Sequence, residues 1–329
     1  MDRPGRRALI FGVTGQDGSL LASHLLDDGC EVHGVSRGIA EPSNLKRLGI
    51  YEQVSLHTVQ PTDFVAVHAL VAAVEPDEIY NLAGQSSVGL SFSQPKEAFD
   101  SHVVATMALL EALRVLRRDI RLFNASSGEV FGDTSARPAD EDTPFRPCTP
   151  YGAAKASAAL LVTSYRDSFG IFACSGHLFN HESPFRAESF VSHRIVHGAV
   201  AIARGQASGL TLGNTAITRD WGWAPDFVAC FVAALRQETP RDYVVATGVA
   251  TTLEEFVARV FSRLGLDWRE HVTSDIALFR RSDIAVNLGN PARAEKELGW
   301  RSRTSMPEVA DKLVDAFVAS DVGSERSPR

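Results

Sequence analysis

The chain has 329 residues, 44% of them apolar, and a net charge of −7, which is enough for one large packed unit with a smaller attached domain. Acidic and basic residues are scattered along it, so no basic block exists to neutralise a run of phosphates, and no nucleic-acid partner is expected. The longest apolar stretch, near 227–235, is about half of what a bilayer-spanning helix needs, so no membrane span is expected either.

Residues 1–7 are polar and are expected to be disordered, with Arg6 and Arg7 preceding an apolar run at 8–13. Gly15, Gln16 and Asp17 interrupt that run too early for a signal peptide, which makes the cytoplasm the expected location. Strand-like runs then recur at 31–35, 55–58, 78–82, 122–125 and 172–175. They alternate with segments at 20–26, 64–74, 103–116 and 153–169, where apolar residues return every three or four positions, the spacing of a helix stripe packed on a sheet. Such alternation is the sequence form of βαβ units and predicts an α/β fold, a Rossmann-type doubly wound parallel sheet with helices on both faces.

This first domain is placed at 1–175. Beyond 176 the regularity fails: helices are predicted at 190–204, 224–236, 253–264 and 306–319, and a short strand at 210–212. The remainder, 176–329, is expected to be mainly a smaller α/β domain, with a segment near 215–245 returning to the first. Cys30, Cys148, Cys174 and Cys230 lack any Cys-x-x-Cys spacing, so they read as reduced thiols and no metal site is expected. The tail, 321–329, has Gly, Ser, Pro and charge without an apolar face, and is expected to be disordered.

Gly12-Val13-Thr14-Gly15-Gln16-Asp17-Gly18 follows the first strand and opens a helix at Ser19. Its glycines answer three steric needs: a tight turn, approach of a pyrophosphate to bare backbone, and close packing of helix on strand. The helix N-terminus adds unpaired N–H groups and partial positive charge. The second strand ends in Ser36-Arg37 and not in an acidic residue. A guanidinium there favours a ribose 2′-phosphate, hence NADP over NAD, unless Arg37 is only a solvated surface residue.

Tyr151-Gly152-Ala153-Ala154-Lys155 sets a phenol and an ammonium four residues apart at a helix start, so both can project from one face. A free phenol titrates near pH ~10, and a nearby ammonium with an oxidised nicotinamide is expected to favour the phenolate. Tyr151 is then a base for a hydroxyl whose carbon loses hydride. Ser126-Ser127-Gly128-Glu129 follows the strand at 122–125, at its carboxyl end. Ser127 is placed either to bond the reacting hydroxyl or to cap a turn. Glu129 is the informative residue, because alcohol oxidation needs no second acid–base group while elimination of water does.

The glycine loop, the Tyr-x-x-x-Lys pair and the upstream serine together resemble the extended short-chain dehydrogenase/reductase superfamily. Within it the chain resembles the GDP-mannose 4,6-dehydratases over nearly its whole length. The resembling runs include Thr14 to Ser19, Tyr80-Asn81-Leu82-Ala83, Pro150 to Lys155, Leu178-Phe179-Asn180-His181-Glu182-Ser183-Pro184, Arg219-Asp220-Trp221-Gly222 and Leu298-Gly299-Trp300. The resemblance implies an enzyme that oxidises C4 of the hexose of a GDP-sugar, eliminates water across C5 and C6, and returns the same hydride to C6, recycling its NADP.

It further implies Tyr151 as base at O4, Lys155 as its electrostatic partner and ribose contact, Ser127 as hydrogen-bond partner of O4 and Glu129 as acid–base at C5. Gly12, Thr14, Gly15, Gln16, Asp17, Gly18, Arg37, Leu82, Ala83, Tyr151, Lys155, His181 and Arg186 are implied at the cofactor. Ser87, Asn180, Arg194, Arg219 and Arg280 are implied at the sugar nucleotide, and the smaller domain becomes the substrate-binding one. A homodimer or homotetramer is implied as well.

The chain departs from the family pattern at Ser127 (usually threonine), Arg194 (usually lysine), Gln60 (usually an aspartate near adenine), Gly38 and Ala285. The loss of an arginine at Gly38 thins a stretch tied to tetramer contacts. Trp223 is either packing or a reshaped pocket wall. The other readings kept open are a sugar-nucleotide reductase or epimerase, a dehydratase of a GDP-linked heptose, and a nucleotide sensor without turnover.

Overall fold

Ala8, Leu9, Ile10 and Phe11 follow one another without a polar break, the pattern of a strand buried on both faces. All four are fully buried in strand β1 (Arg7–Phe11) of the computed structural model. The structure describes residues 5–38, 43–116, 119–279 and 282–324. Strands β2 (Glu31–Ser36), β3 (Val54–Thr58), β4 (Glu78–Asn81), β5 (Arg121–Ala125) and β6 (Ala173–Leu178) follow. Then come β7 (Asn180–Glu182), β8 (Leu210–Leu212), β9 (Thr218–Trp223), β10 (Tyr243–Val245), β11 (Ala250–Thr252), β12 (Val272–Ser274) and β13 (Val286–Asn287).

Seven of these pair in parallel in the order β10-β6-β5-β4-β1-β2-β3. The order changes direction between β1 and β4, which is where open α/β sheets form a crevice at the carboxyl ends of their strands. One face is covered by the helices Gln16–Asp27 and Ala224–Leu235, whose Leu21, Leu25, Phe227 and Phe231 share a core with Ile10 and Phe123. The other face is covered by Phe64–Val74, Ala105–Leu116 and Pro150–Phe169, with Val67, Leu109 and Val162 against Leu9, Phe11 and Leu122.

Phe64–Val74 shows how local sequence sets a boundary. The Asp63 carboxylate accepts the N–H groups of Val65 and Ala66, and Glu75 stops the helix in a left-handed conformation at φ 50°. The helix predicted from 103 has a different start: Asp100–Val104 is a π turn, and regular α geometry begins at Ala105.

In the second half, β9 lies between β11 and β13, and β7 also pairs with it. The helices Val191–Ala203, Leu253–Arg263 and Met306–Ser324 pack around Trp221 of that sheet. The segment expected to return to the first domain divides: β9 stays with the second sheet, while Ala224–Leu235 and β10 join the first. β10 is too short at three residues to show alternation in sequence. The last helix continues to Ser324, five residues past its predicted end at 319. Of the ends expected to be disordered, 1–4 and 325–329 lie outside the described residues. No described helix is long and apolar enough to cross a membrane.

Candidate active site

β1 gives way at its carboxyl end to Gly12, which turns with φ 86°. A Cβ there would stand 2.9 Å from the backbone of Leu82 and Ala83, so glycine is what lets the loops after β1 and β4 close on each other. A Cβ on Gly18 would stand 2.1 Å from the Gly12 carbonyl oxygen, so this glycine seats the helix directly on the end of the strand. Gly15 is the N-cap, and the first-turn N–H groups have no carbonyl a turn earlier to bond. Bare backbone at a helix N-terminus fits a dinucleotide pyrophosphate. Arg37 stands beside this cradle with Nη1 3.2 Å from the exposed Glu97 carboxylate. An exposed pair of this kind is weak, so a phosphate can compete for the guanidinium.

Asp17 is turned onto His181. Nε2 of the ring lies 3.0 Å from both carboxylate oxygens, and Nδ1 lies 2.7 Å from the Phe179 carbonyl oxygen. A ring nitrogen facing such an acceptor must carry hydrogen, so both nitrogens donate and the ring is an imidazolium. Burial pushes His181 down, but Asp17 outweighs it and the imidazole is raised. Burial likewise pushes Asp17 up, but His181 and Gln16 outweigh it and hold the carboxyl below its ordinary range. Gln16 Nε2 and Arg186 Nη1 both donate to the His181 carbonyl, at 3.2 and 2.6 Å. β7 is thereby stitched to the glycine loop.

Thr149 caps the helix Pro150–Phe169 by accepting the Gly152 N–H at 2.9 Å, and Pro150 at its first position suits a helix start. Tyr151 and Lys155 follow one turn apart, both buried. Lys155 Nζ donates to the Ala125 carbonyl at 2.7 Å and lies 5.8 Å from the Tyr151 ring centre. The Ser127 side chain stands close enough to the Tyr151 hydroxyl to favour its phenolate. Its Oγ also accepts the Glu129 N–H at 3.2 Å, so it serves the phenol and caps the turn together. The Thr149 hydroxyl, 3.5 Å away, faces the Glu129 carboxylate.

The expected depression of the phenol is not supplied by the protein's own groups. Burial pushes Tyr151 up to about 12; the Ser127 side chain opposes this and the Glu129 charge adds to it. Lys155 is itself pushed down by burial, to about 8, with Asp17 opposing.

Of the remaining residues, Asn180, Arg194 and Arg219 stand on the second-domain side. Asn180 opens β7. Arg194 Nη2 lies 3.5 Å from the Thr211 carbonyl at an exposed position. Arg219 is buried, with Nη1 donating to the carbonyls of Thr218 and Ile284 at 2.8 Å each. Ser87 caps the helix Val88–Ser93 by accepting the Leu90 N–H at 3.2 Å. Every predicted site residue except Arg280 lines one cavity of about 1610 Å³. Arg280 lies outside the described residues.

The family model for GDP-mannose 4,6 dehydratase matches residues 9–313. The chain is 39% identical to GDP-mannose 4,6 dehydratase 2 of Arabidopsis thaliana, with 95% of this chain and 87% of that protein covered. This chain belongs to the GDP-mannose 4,6-dehydratase family. It is also 38% identical to the GDP-mannose 4,6-dehydratase of Vibrio cholerae serotype O1, over 97% of this chain and 94% of that one. The fold matches a crystal structure of dTDP-glucose 4,6-dehydratase from Bacillus anthracis in complex with NAD, with a TM-score of 0.83 at 18% identity, covering 97% of this chain and 98% of that one.

Seen as a member of this family, the chain resolves some of its own departures. Trp223 is packing: it lies partly buried against the second core, with Lys312 Nζ 5.5 Å from its ring centre. Gln60 lines the cavity. The Ala285 N–H and that of Val286 are both accepted by the Asp133 carboxylate, at 3.0 and 3.3 Å.

Other residues of the site escaped the sequence reading. The Asn44 amide donates to the Thr14 carbonyl at 3.2 Å and the Phe185 carbonyl at 3.0 Å, joining the glycine loop to the segment after β7. His102 stands against Tyr151. Neither belongs to a local pattern, because each acts on partners remote in the chain.

Proposed function

We propose that this protein is an NADP-dependent GDP-mannose 4,6-dehydratase, a hydro-lyase that converts GDP-mannose to GDP-4-keto-6-deoxymannose. The observation that carries the reading is Glu129, a carboxylate on the same cavity wall as Ser127, Tyr151 and Lys155, in a chain of this family. Oxidation alone has no use for it; elimination does.

Gly12, Thr14, Gly15, Gln16 and Gly18 hold the pyrophosphate on bare backbone and the helix N-terminus. Arg37 takes the 2′-phosphate, Leu82 and Ala83 wall the dinucleotide, and Lys155 holds its ribose. Asp17 with His181, and Arg186 with the His181 carbonyl, keep the glycine loop against β7. Bound NADP⁺ supplies the positive charge that favours the phenolate, the hydride acceptor for C4 and, once reduced, the hydride donor for C6. Tyr151 Oη takes the proton from O4, with the Ser127 side chain beside it. A carbonyl at C4 makes the C5 proton acidic. The Glu129 carboxylate removes it and gives a proton to the C6 hydroxyl as that group leaves as water, and the proton taken from O4 is the one that restores C5 when C6 is reduced. Asn180, Arg194 and Arg219 hold the sugar nucleotide, where guanidinium forks suit two linked phosphates.

Purified protein given GDP-mannose and catalytic NADP⁺ is expected to form a product lighter by one water, seen by mass spectrometry, with no net NADPH. A requirement for stoichiometric NADPH would point instead to a sugar-nucleotide reductase.

A further inference from the structure

His102 sits where a regular helix is interrupted. Asp100–Val104 forms a π turn between the helices Pro95–Phe99 and Ala105–Leu116, a wide turn found often at functional sites. It buries His102, which is 4% exposed. The imidazole stands edge-on to the Tyr151 ring, with centres 5.4 Å apart and planes at 83°. Gly84 forms the opposite wall: at φ 140°, a Cβ on it would stand 2.2 Å from Cε1 and 2.4 Å from Nδ1 of His102. Glycine at that point is what leaves room for the ring.

The neighbours decide how the ring is protonated. Nε2 lies 2.8 Å from the Gln85 carbonyl oxygen, which can only accept, so Nε2 carries the hydrogen and Nδ1 a lone pair. Burial pushes His102 well below the ordinary imidazole value and the Lys155 charge pushes it further, so the ring is neutral. Among the described residues Nδ1 has no hydrogen-bond partner, yet it is not sealed in the interior, and His102 lines the cavity. A neutral ring of fixed tautomer thus offers an acceptor to the cavity beside Tyr151 and Lys155. Phenylalanine would fill the space equally well, and a general base needs a pKa nearer neutrality. Space-filling leaves the lone pair unused, and an imidazole held this far down is too weak a base to use it for proton transfer.

We propose that His102 is a positioning residue: its edge fixes the Tyr151 ring, and its Nδ1 accepts a hydrogen bond from a ribose hydroxyl or the carboxamide of the dinucleotide's nicotinamide half. This rests on the dinucleotide reading of the site given above.

The test compares His102→Phe, which keeps the ring and loses the acceptor, with His102→Asn, whose amide oxygen restores one. Equilibrium titration with NADP⁺ should show Kd about tenfold higher for His102→Phe, the loss of one hydrogen bond. Most of that is regained in His102→Asn, and the KM for GDP-mannose stays within about twofold of the parent. In parallel, ¹⁵N NMR of the histidine-labelled unsubstituted protein should show Nδ1 as a bare lone pair that moves toward the hydrogen-bonded range on adding NADP⁺. That measurement decides the matter if His102→Phe does not fold. An Nδ1 signal indifferent to NADP⁺, or a His102→Phe affinity equal to the parent's, overturns the proposal. Failure of the unsubstituted protein to bind NADP⁺ at all would instead sink the dinucleotide reading beneath it.

Discussion

Proton transfer from a sugar hydroxyl and proton transfer from a carbon next to a carbonyl make different demands on a side chain, and in the proposed reaction two residues divide them. Tyr151 stands beside the Ser127 side chain, while Glu129 faces the Thr149 hydroxyl and lines the cavity. Glu129→Gln keeps shape and removes the base. Water elimination should fall by about 10²- to 10⁴-fold, while deuterium still passes from C4-labelled GDP-mannose to NADP⁺. Equal loss of both steps would place Glu129 outside the elimination. In the proposed reading Arg37 carries the cofactor preference in the same residue-by-residue way. Because its Glu97 partner is exposed and solvent-screened, Arg37→Ala should weaken NADP⁺ binding by about tenfold or more, the value of a charge-assisted bond. NAD⁺ binding should be unchanged, and a parallel loss for both dinucleotides in the same titration would remove the 2′-phosphate contact from the reading.

Between elements, the Asp17–His181 ion pair ties the first turn of the helix Gln16–Asp27 to β7. Asp17 is held below its ordinary 3.8 and His181 above its ordinary 6.5, so the stabilisation by the pair is complete between those two values. It fades as pH falls through the folded value of Asp17, and again as pH rises through the folded value of His181. Asp17→Asn should therefore cost about 3 kcal/mol in the window between them, shrinking toward alkaline pH, read as the gap between urea midpoints of the two proteins. A gap that does not change with pH would mean that the imidazole is neutral. The π turn is a second device at this scale: it departs from helical period for one turn and so brings His102 to Tyr151.

Across the whole molecule, two sheets must keep their places for one cavity to hold both ligands. Asp220 on β9 helps to fix them. Its carboxylate accepts the N–H groups of Thr247 and Gly248, at 2.7 and 2.8 Å, in the link that leaves β10 of the large sheet. Asp220→Ala strands both donors, at about 1–3 kcal/mol each, and should lower the melting temperature by several degrees. It should also raise the KM for GDP-mannose more than the Kd for NADP⁺, because Arg219 is its neighbour on the strand. Equal weakening of both ligands would mean a general loosening. What the sequence alone determined is local: the alternation of strand and helix up to 175, the glycine loop, and Tyr151 and Lys155 on one helix face, since period and spacing are properties of neighbouring residues. The tertiary structure decided what depends on partners remote in the chain and on exclusion of water. It brought Asp17 to a histidine 164 residues away, made three residues at 243–245 the seventh strand of the large sheet, and turned Trp223 into packing. It also raised the phenol of Tyr151 in the protein alone, because burial penalises the charged form more than the Ser127 side chain relieves it.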